Sequence, residues 1–501
     1  MNTPDEVFEK IRSAREAQGL WSAMPFAERS RRLKPIEGYL ADRGDELADL
    51  ICRDNGKPRL DALATEILPA AMALRYYRKM GRRFLAPRRI RGGNILMFNK
   101  RSSLVYEPYG VVGIISPWNY PFSIPFSEVV MALLAGNGVV LKTASDTPQV
   151  GQALGAIFSQ IDLPPGLFAY VVLPGKEAGP AFINGGIDKL FFTGSTAVGR
   201  QLMALAAQRL LPLVLELGGA DAALVCADAD LDRAALGILW AGFSNAGQSC
   251  GGVQRVLVHR SVYDEFLEKL GQRVRSLRVG PGSAWTTDMG PLTTARQKAA
   301  VRDQVQRCLR AGARIAAQSE GGDLDGDGPE MGALVLADVK ADMPIMGEEI
   351  FGPVVAVIPV EDDQEALEMA NRSPYGLTGS IWTRDRRRAR RLAQALNAGA
   401  IMVNDHLMSH GLAETPWGGF GDSGLGRTHG ELGFHEMLKT KVVVEDILPG
   451  AKKNIWWHPY SESVYRGLKG ILTLLYGSSW KKRLAAIPGV IKIFFRYWDR
   501  S

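Results

Sequence analysis

Cys250 is the residue with the most chemistry to offer in this chain of 501 residues. It stands in Gly247-Gln248-Ser249-Cys250-Gly251-Gly252, where small neighbours leave room for a substrate carbon beside sulfur. Its thiolate can add to a carbonyl and carry a covalent intermediate. A cysteine in such a turn is ordinarily only a small buried hydrophobe, so its companions decide the reading. Glu216 is the first of these. It sits at a predicted strand end, followed by Leu217, Gly218 and Gly219, and fits a carboxylate free to swing and act as a base. Three other motif matches mislead. Gly247–Gly251 fits the GxSxG nucleophile elbow, but a helix precedes the serine and a strand follows it, the reverse of what that elbow requires. Gly419–Gly424 fits GxGxxG without the strand before it or the helix after it. His435-Glu436 opens like an HExxH zinc site, yet Lys439 occupies the place of the second histidine, so no metal is expected.

The elements that must position these residues read as alternating strands and helices. Strands are predicted at Val111–Ser116, Gly138–Lys142, Phe168–Leu173, Lys189–Thr193 and Pro212–Leu217, with helices at Glu128–Ala135, Val150–Ile161 and Ala197–Ala207. That rhythm implies a parallel, doubly wound sheet with ligands beyond the carboxyl ends of its strands. A second unit of the same kind starts at Ala220, with a helix at Asp230–Phe243 and strands at Val253–His259, Val354–Val360 and Ala400–Asn404. Amphipathic helices precede both, and residues 86–107 read as a hairpin turning at Gly92-Gly93-Asn94. The composition, 46% hydrophobic and 23% charged, excludes a disordered or collagen-like chain. Cys52, Cys226, Cys250 and Cys308 are scattered without a CxxC, which speaks for a reducing compartment and against a disulfide scaffold. The charged amino terminus has no signal-peptide core. The uncharged stretch Pro108–Ser127 is broken by Pro117, Pro121 and Pro125, so no transmembrane segment is expected.

Pro117-Trp118-Asn119-Tyr120-Pro121, Phe192–Gly199, Glu216–Gly219, Gly247–Cys250, Glu348–Pro353 and Pro416–Gly419 follow one another in the order of the aldehyde dehydrogenase superfamily, which the chain resembles from about residue 20 to 445. The resemblance implies an α/β fold of that type: two doubly wound parallel-sheet domains, a small bridging sheet and, here, a basic amphipathic C-terminal tail. The expected bounds are 1–85 with 108–219 for the NAD(P)-binding domain and 220–430 for the catalytic domain. The oligomerisation sheet takes 86–107 with 431–446, and the tail takes 447–501. A homodimer or tetramer follows from such a sheet.

The resemblance makes Cys250 the nucleophile, whose hemithioacetal collapses to a thioester by expelling hydride to a nicotinamide. It supplies the side-chain amide of Asn119 and the backbone N–H of Cys250 as oxyanion donors, and Glu216 as the base that activates water. Glu216 also weighs against the CoA-acylating relatives, which use a thiol acceptor instead. For NAD or NADP, it points to Lys142 at the adenosine ribose and to Gly194, Ser195, Thr196 and Gly199 opening a helix toward the pyrophosphate. Glu349 and Phe351 resemble the pair around the nicotinamide ribose and ring, and Trp118, Leu217 and Gly218 complete the set. One departure matters. Lys142-Thr143-Ala144-Ser145 replaces the frequent Lys-Pro-Ser-Glu, so a 2′-phosphate meets less repulsion and NADP comes within reach beside NAD.

Residues 451–501 hold ten Lys/Arg against two Asp/Glu, a net +8, whereas residues 1–450 come to −1. Four of the ten tryptophans are there: Trp456, Trp457, Trp480 and Trp498. Val464, Leu468, Ile471, Leu472 and Leu475 recur at helical spacing, and a second apolar run spans Ile487–Trp498. Neither run reaches the ~18 uncharged residues of a membrane span. The tail is therefore expected to lie on an anionic membrane surface as interfacial helices, with subunit packing as the alternative and no nucleic-acid partner. An enzyme so placed, cytoplasmic and peripheral, would meet long-chain or aromatic aldehydes. A semialdehyde or other soluble aldehyde is the competing substrate.

Overall fold

The computed structural model describes residues 1–93 and 97–498 and divides into two compact units. The larger comprises 1–86 and 106–439, the smaller 87–105 and 440–501.

In the larger unit, period-two alternation sorts the side chains. Val112 and Ile114 enter one core while Val111 and Ile115 enter another, and Phe191 is likewise separated from Leu190 and Phe192. A sheet apolar on both faces must be covered on both, which the flanking helices do. Its six strands run Gly424–Leu425, Leu213–Glu216, Lys189–Thr193, Val111–Ile115, Gly138–Lys142, Phe168–Tyr170. The last five are parallel, and Gly424–Leu425 is antiparallel to its neighbour. The chain order reverses between Val111–Ile115 and Lys189–Thr193, and a crevice opens beyond the carboxyl ends at such a point. Register sets Ile115 level with both Lys142 and Phe192, and Thr193 level with Glu216, so the predicted site residues leave from one edge.

The second sheet runs Arg314–Gln318, Leu334–Ala337, Val354–Val360, Val253–His259, Asp221–Val225, Thr378–Trp382, Ala400–Val403. Arg314–Gln318 is antiparallel to its neighbour, and the other pairings are parallel. This sheet meets the site with its amino end. The helix Leu231–Phe243 delivers the chain to the turn holding Cys250, and the strand Val253–His259 begins three residues later. Leu217–Ala220 likewise carries the chain from the carboxyl end of the first sheet to the amino end of the second.

Four predicted strands, Gly138–Lys142, Lys189–Thr193, Val253–His259 and Val354–Val360, match the observed bounds. The helix expected from Glu128 begins at Ser123. Pro125 falls in its first turn, where the missing N–H has no intrahelical partner to lose.

In the smaller unit, Arg88–Ile90 pairs antiparallel with Lys100–Pro108, Arg88 opposite Leu104, and Leu438–Asp446 is the third strand. The predicted turn ends at Asn94, which lies outside the described residues, as do residues 499–501 of the predicted tail. The tail forms two helices, Glu462–Tyr476 and Trp480–Phe494, packed on each other. Gly467 allows the close approach, since a Cβ there would stand 2.8 Å from Ile493. Part of the predicted apolar spacing is thereby used inside the tail itself. Val464, Ile471, Val490 and Ile493 are consumed in the hairpin's own core with Ile455 and Tyr497. The exposed apolar surface comes from other positions, including Tyr465, Leu472, Tyr476, Trp480, Leu484, Ile491 and Phe495. Among the described residues, no helix is long and apolar enough to cross a membrane.

Candidate active site

The turn before Cys250 is held in an unusual backbone conformation. Asn245 and Ala246 both have φ of +53°, which non-glycine residues keep only when their surroundings fix it. The fixing contacts are polar. Asn245 Nδ2 donates to the Gln248 carbonyl (3.2 Å) and to the Asn119 carbonyl (2.9 Å). Asn119 Nδ2 donates to the same Gln248 carbonyl at 3.0 Å. The predicted amide is thereby tied two residues upstream of the predicted nucleophile. Its second N–H remains to face a substrate oxygen.

Gly218 and Gly219 prove to be packing residues. A Cβ on Gly218 would lie 2.4 Å from a Glu349 oxygen, and one on Gly219 would lie 2.2 Å from the Cys250 carbonyl. Beside the flexibility expected of them, both glycines permit a close approach. They let Glu349, Cys250 and the strand end bearing Glu216 crowd together. Glu349 Oε1 accepts the Gly219 N–H at 3.1 Å, and burial pushes its carboxyl up to about 7 against that bond. Glu216 is buried, and neither carboxyl oxygen has a hydrogen-bond partner among the described residues. Burial and, next, the Glu128 carboxyl hold Glu216 well above the usual carboxylate range, while Arg427 opposes them. Cys250, partly exposed, has its thiol pushed up by burial and then by Glu349, Glu216 and Asp221, with the Gly251 N–H pulling the other way.

Cys250 lines a cavity of about 740 Å³ within the larger unit. Its walls include Leu239, Trp240, Phe243, Leu407, Met408 and Trp417. Among the described residues, Arg273 is the only Lys or Arg in the lining, and it pairs with Asp232 at 3.1 Å; Asp61 and Asp288 also reach the wall.

The expected cofactor residues fall beyond the first sheet's carboxyl edge. Lys142 is buried, its ammonium makes no hydrogen bond among the described residues, and burial lowers its pKa against the pull of Asp146. Ser145, three residues on, is exposed. Ser195 caps the helix Thr196–Ala207, accepting the Val198 N–H, and the Gly194 N–H donates to the Glu216 carbonyl at 3.0 Å. Thr196 Oγ1 donates to the Asp422 carbonyl at 3.1 Å. Gly199 is required by Leu217, which a Cβ would approach to 2.6 Å. Trp118 and Phe351 meet edge to face at 5.4 Å, with Phe351 at φ +50°. A lysine ammonium with no hydrogen bond among the described residues, a capped helix N-terminus and a buried carboxyl fit a dinucleotide carrying phosphates and ribose hydroxyls.

Sequence reasoning missed Lys57, Glu66 and Asn245. Asn245 had a signal, lying in the same polar run as Cys250. Lys57 and Glu66 had none, because Lys57 stands in a loop and Glu66 on the irregular turn nine positions later, a spacing that specifies no shared face.

The sequence profile of the aldehyde dehydrogenase family matches residues 1–443. A Methylomonas protein named 4,4′-diapolycopene aldehyde oxidase is 38% identical over 479 residues, covering 95% of this chain and 88% of its own. A protein of Mycolicibacterium smegmatis with the name putative succinate-semialdehyde dehydrogenase (NADP+) is 37% identical over 446 residues, 88% of this chain and 85% of its own. Among solved structures, Staphylococcus aureus betaine aldehyde dehydrogenase in complex with NAD+ superposes with a TM-score of 0.84 at 29% identity, covering 91% of this chain and 90% of that one.

Proposed function

The chain belongs to the aldehyde dehydrogenase family and is an NAD(P)-dependent aldehyde dehydrogenase, and from that premise we propose that it oxidises a lipophilic, long-chain or aromatic aldehyde to the carboxylate. The observation that carries this reading is the cavity lining. Aromatic and aliphatic side chains lead to Cys250, and Arg273, the one Lys or Arg in the described lining, is drawn to Asp232, a carboxylate it shares with Lys269. Such a wall favours an apolar chain that leaves water to enter it. The Methylomonas relative adds support, since its match runs beyond residue 443, where the family profile stops.

The Cys250 thiol gives up its proton to solvent and adds as the thiolate to the aldehyde carbon. The side-chain amide of Asn119 and the backbone N–H of Cys250 stabilise the oxyanion that forms. NAD or NADP, held by Lys142, Ser195, Gly194, Glu349 and Phe351 with Trp118, Thr196, Gly199, Leu217 and Gly218 shaping the site, supplies the hydride acceptor when bound. Glu216 then takes the proton of the attacking water, so the thioester is hydrolysed and not passed to a thiol. Because the Glu216 carboxyl is raised, its basic form is present above that raised value and lost as pH falls through it. Turnover should therefore climb as pH rises through that raised value, which a pH–rate profile checks.

Two assembly readings go with this one. The third strand of the smaller unit, Leu438–Asp446, is exposed over nearly its whole length and suits pairing with a second copy in a dimer or tetramer. Residues 451–501, with their net +8, suit an anionic membrane surface. Succinate semialdehyde is the second substrate reading, favoured by the name of the Mycolicibacterium relative. A chain-length series assayed with NAD and NADP separates the two. Rising kcat/KM with chain length supports the lipophilic reading, and a maximum at succinate semialdehyde overturns it.

A further inference from the structure

Lys57 and Glu66 form an ion pair whose side chains are both 0% exposed, an arrangement that is costly unless every remaining valence is used. Here they are used on one target. Lys57 Nζ donates to Glu66 Oε1 (2.7 Å) and to the backbone carbonyl of Asn119 (2.9 Å), and it lies 4.2 Å from the centre of the Tyr120 ring. Glu66 Oε2 accepts the N–H groups of Phe122 (2.8 Å) and Ser123 (3.0 Å), where the helix Ser123–Ala135 begins. Asn55 Nδ2 reaches the Trp118 carbonyl at 2.9 Å. Three buried side chains from residues 55–66 thus grip the backbone on both sides of Asn119. Glu66 itself sits on a widened helical turn, Leu63–Ile67, an irregularity that recurs at functional sites. The Asn119 carbonyl also accepts from Asn245, which belongs to the strained turn leading to Cys250.

We propose that the Lys57–Glu66 pair, together with Asn245, positions the Asn119 amide for oxyanion stabilisation. The inference rests on the reading of Asn119 given above. None of the three touches the reacting atoms. Each fixes the peptide from which the Asn119 side chain projects, and a misplacement of that donor is felt in the transition state more than in substrate binding.

The test is a mutant cycle in the holoenzyme with saturating NAD and aldehyde. Asn119→Ala should lower kcat by about 10²–10³-fold, as loss of an oxyanion donor does. Unchanged turnover there removes the oxyanion reading itself and this inference with it. Lys57→Met alone leaves Glu66 buried and unpaired and can unfold the chain, so the informative variant is Lys57→Met/Glu66→Gln, which removes both charges. Its expected behaviour is a Tm near the parent's, KM within about threefold, kcat down at least about tenfold, and little further loss when Asn119→Ala is added. Parental kcat in the folded double variant, or a full additional loss with Asn119→Ala, overturns the proposal. If that variant does not fold, Asn245→Gly decides. It suits the left-handed backbone and deletes the Asn245 donor to the Asn119 carbonyl together with its weaker bond to the Gln248 carbonyl. A kcat loss that does not add to that of Asn119→Ala upholds the proposal; parental kcat or full additivity overturns it.

Discussion

Every residue of Val111–Ile115 and Gly138–Lys142 is buried, while on and beside the helices Glu462–Tyr476 and Trp480–Phe494 a row of large apolar side chains stays exposed, Trp480 and Phe495 each at 68%. Residues 1–450 are near electrical neutrality, whereas the last 51 carry +8. The larger unit buries three large apolar cores, although single apolar side chains such as Leu210 and Trp285 stay exposed on it. The hairpin has one small core and more aromatic surface than that core can use. The proposed chemistry and the proposed surface association thus rest on different physical terms. Covalent chemistry needs preorganised donors in a dry interior, and surface association needs accessible rings beside positive charge.

The largest effect should come from Cys250→Ser. We expect NAD(P)H formation to fall by at least about 10³-fold, ~4 kcal/mol of transition-state stabilisation, with cofactor affinity and liposome sedimentation unchanged. Retention of more than a few per cent of activity would remove Cys250 from its role. Next comes truncation after Leu448. The shortened chain should keep its kcat on a short soluble aldehyde, lose sedimentation with anionic liposomes, and lose about tenfold in rate on a long-chain aldehyde presented in a bilayer. Full-length protein should be only partly released by high salt, because rings in the interface add a contribution that salt does not screen. Dissociation of the oligomer on truncation, with no change on liposomes, would make the tail a subunit-packing element. The smallest effect concerns Ser145→Glu, which should widen the preference for NAD over NADP by about tenfold, ~1.4 kcal/mol. Equal loss with both cofactors would show that residue 145 does not face the ribose.

Much of the fold is legible in the amino-acid sequence. Strands buried on both faces appear as continuous apolar runs, so the predicted Gly138–Lys142 and Lys189–Thr193 agree with the observed strands at both ends. The predicted Phe168–Leu173 is shorter in the structure, Phe168–Tyr170, because an edge strand pairs on one side only. Gly218 and Gly219 stand out in sequence as glycines with a reason, but the reason is tertiary: Glu349 and Cys250 arrive from distant sequence. The tail's helical period is visible, yet periodicity cannot say which part of a stripe a neighbouring helix will cover. Val464 and Ile471 are covered, and Leu472, next to Ile471 in the same run, is 61% exposed. Lys57 and Glu66 illustrate the limit. Their partners Asn119, Phe122 and Ser123 lie more than fifty positions away, and only the fold brings them together.

If this enzyme acylates Cys250 with a lipophilic aldehyde and depends on Glu216 to release the acid, the acyl-enzyme should be trappable. The measurement is intact and peptide mass spectrometry of Glu216→Gln after mixing with NAD and a long-chain aldehyde. We expect one acyl group per chain on the peptide containing Cys250, formed with a stoichiometric burst of NADH and little turnover after it. A variant that turns over at the parental rate, or an adduct found on Cys52, Cys226 or Cys308 and absent from Cys250, would contradict this mechanism.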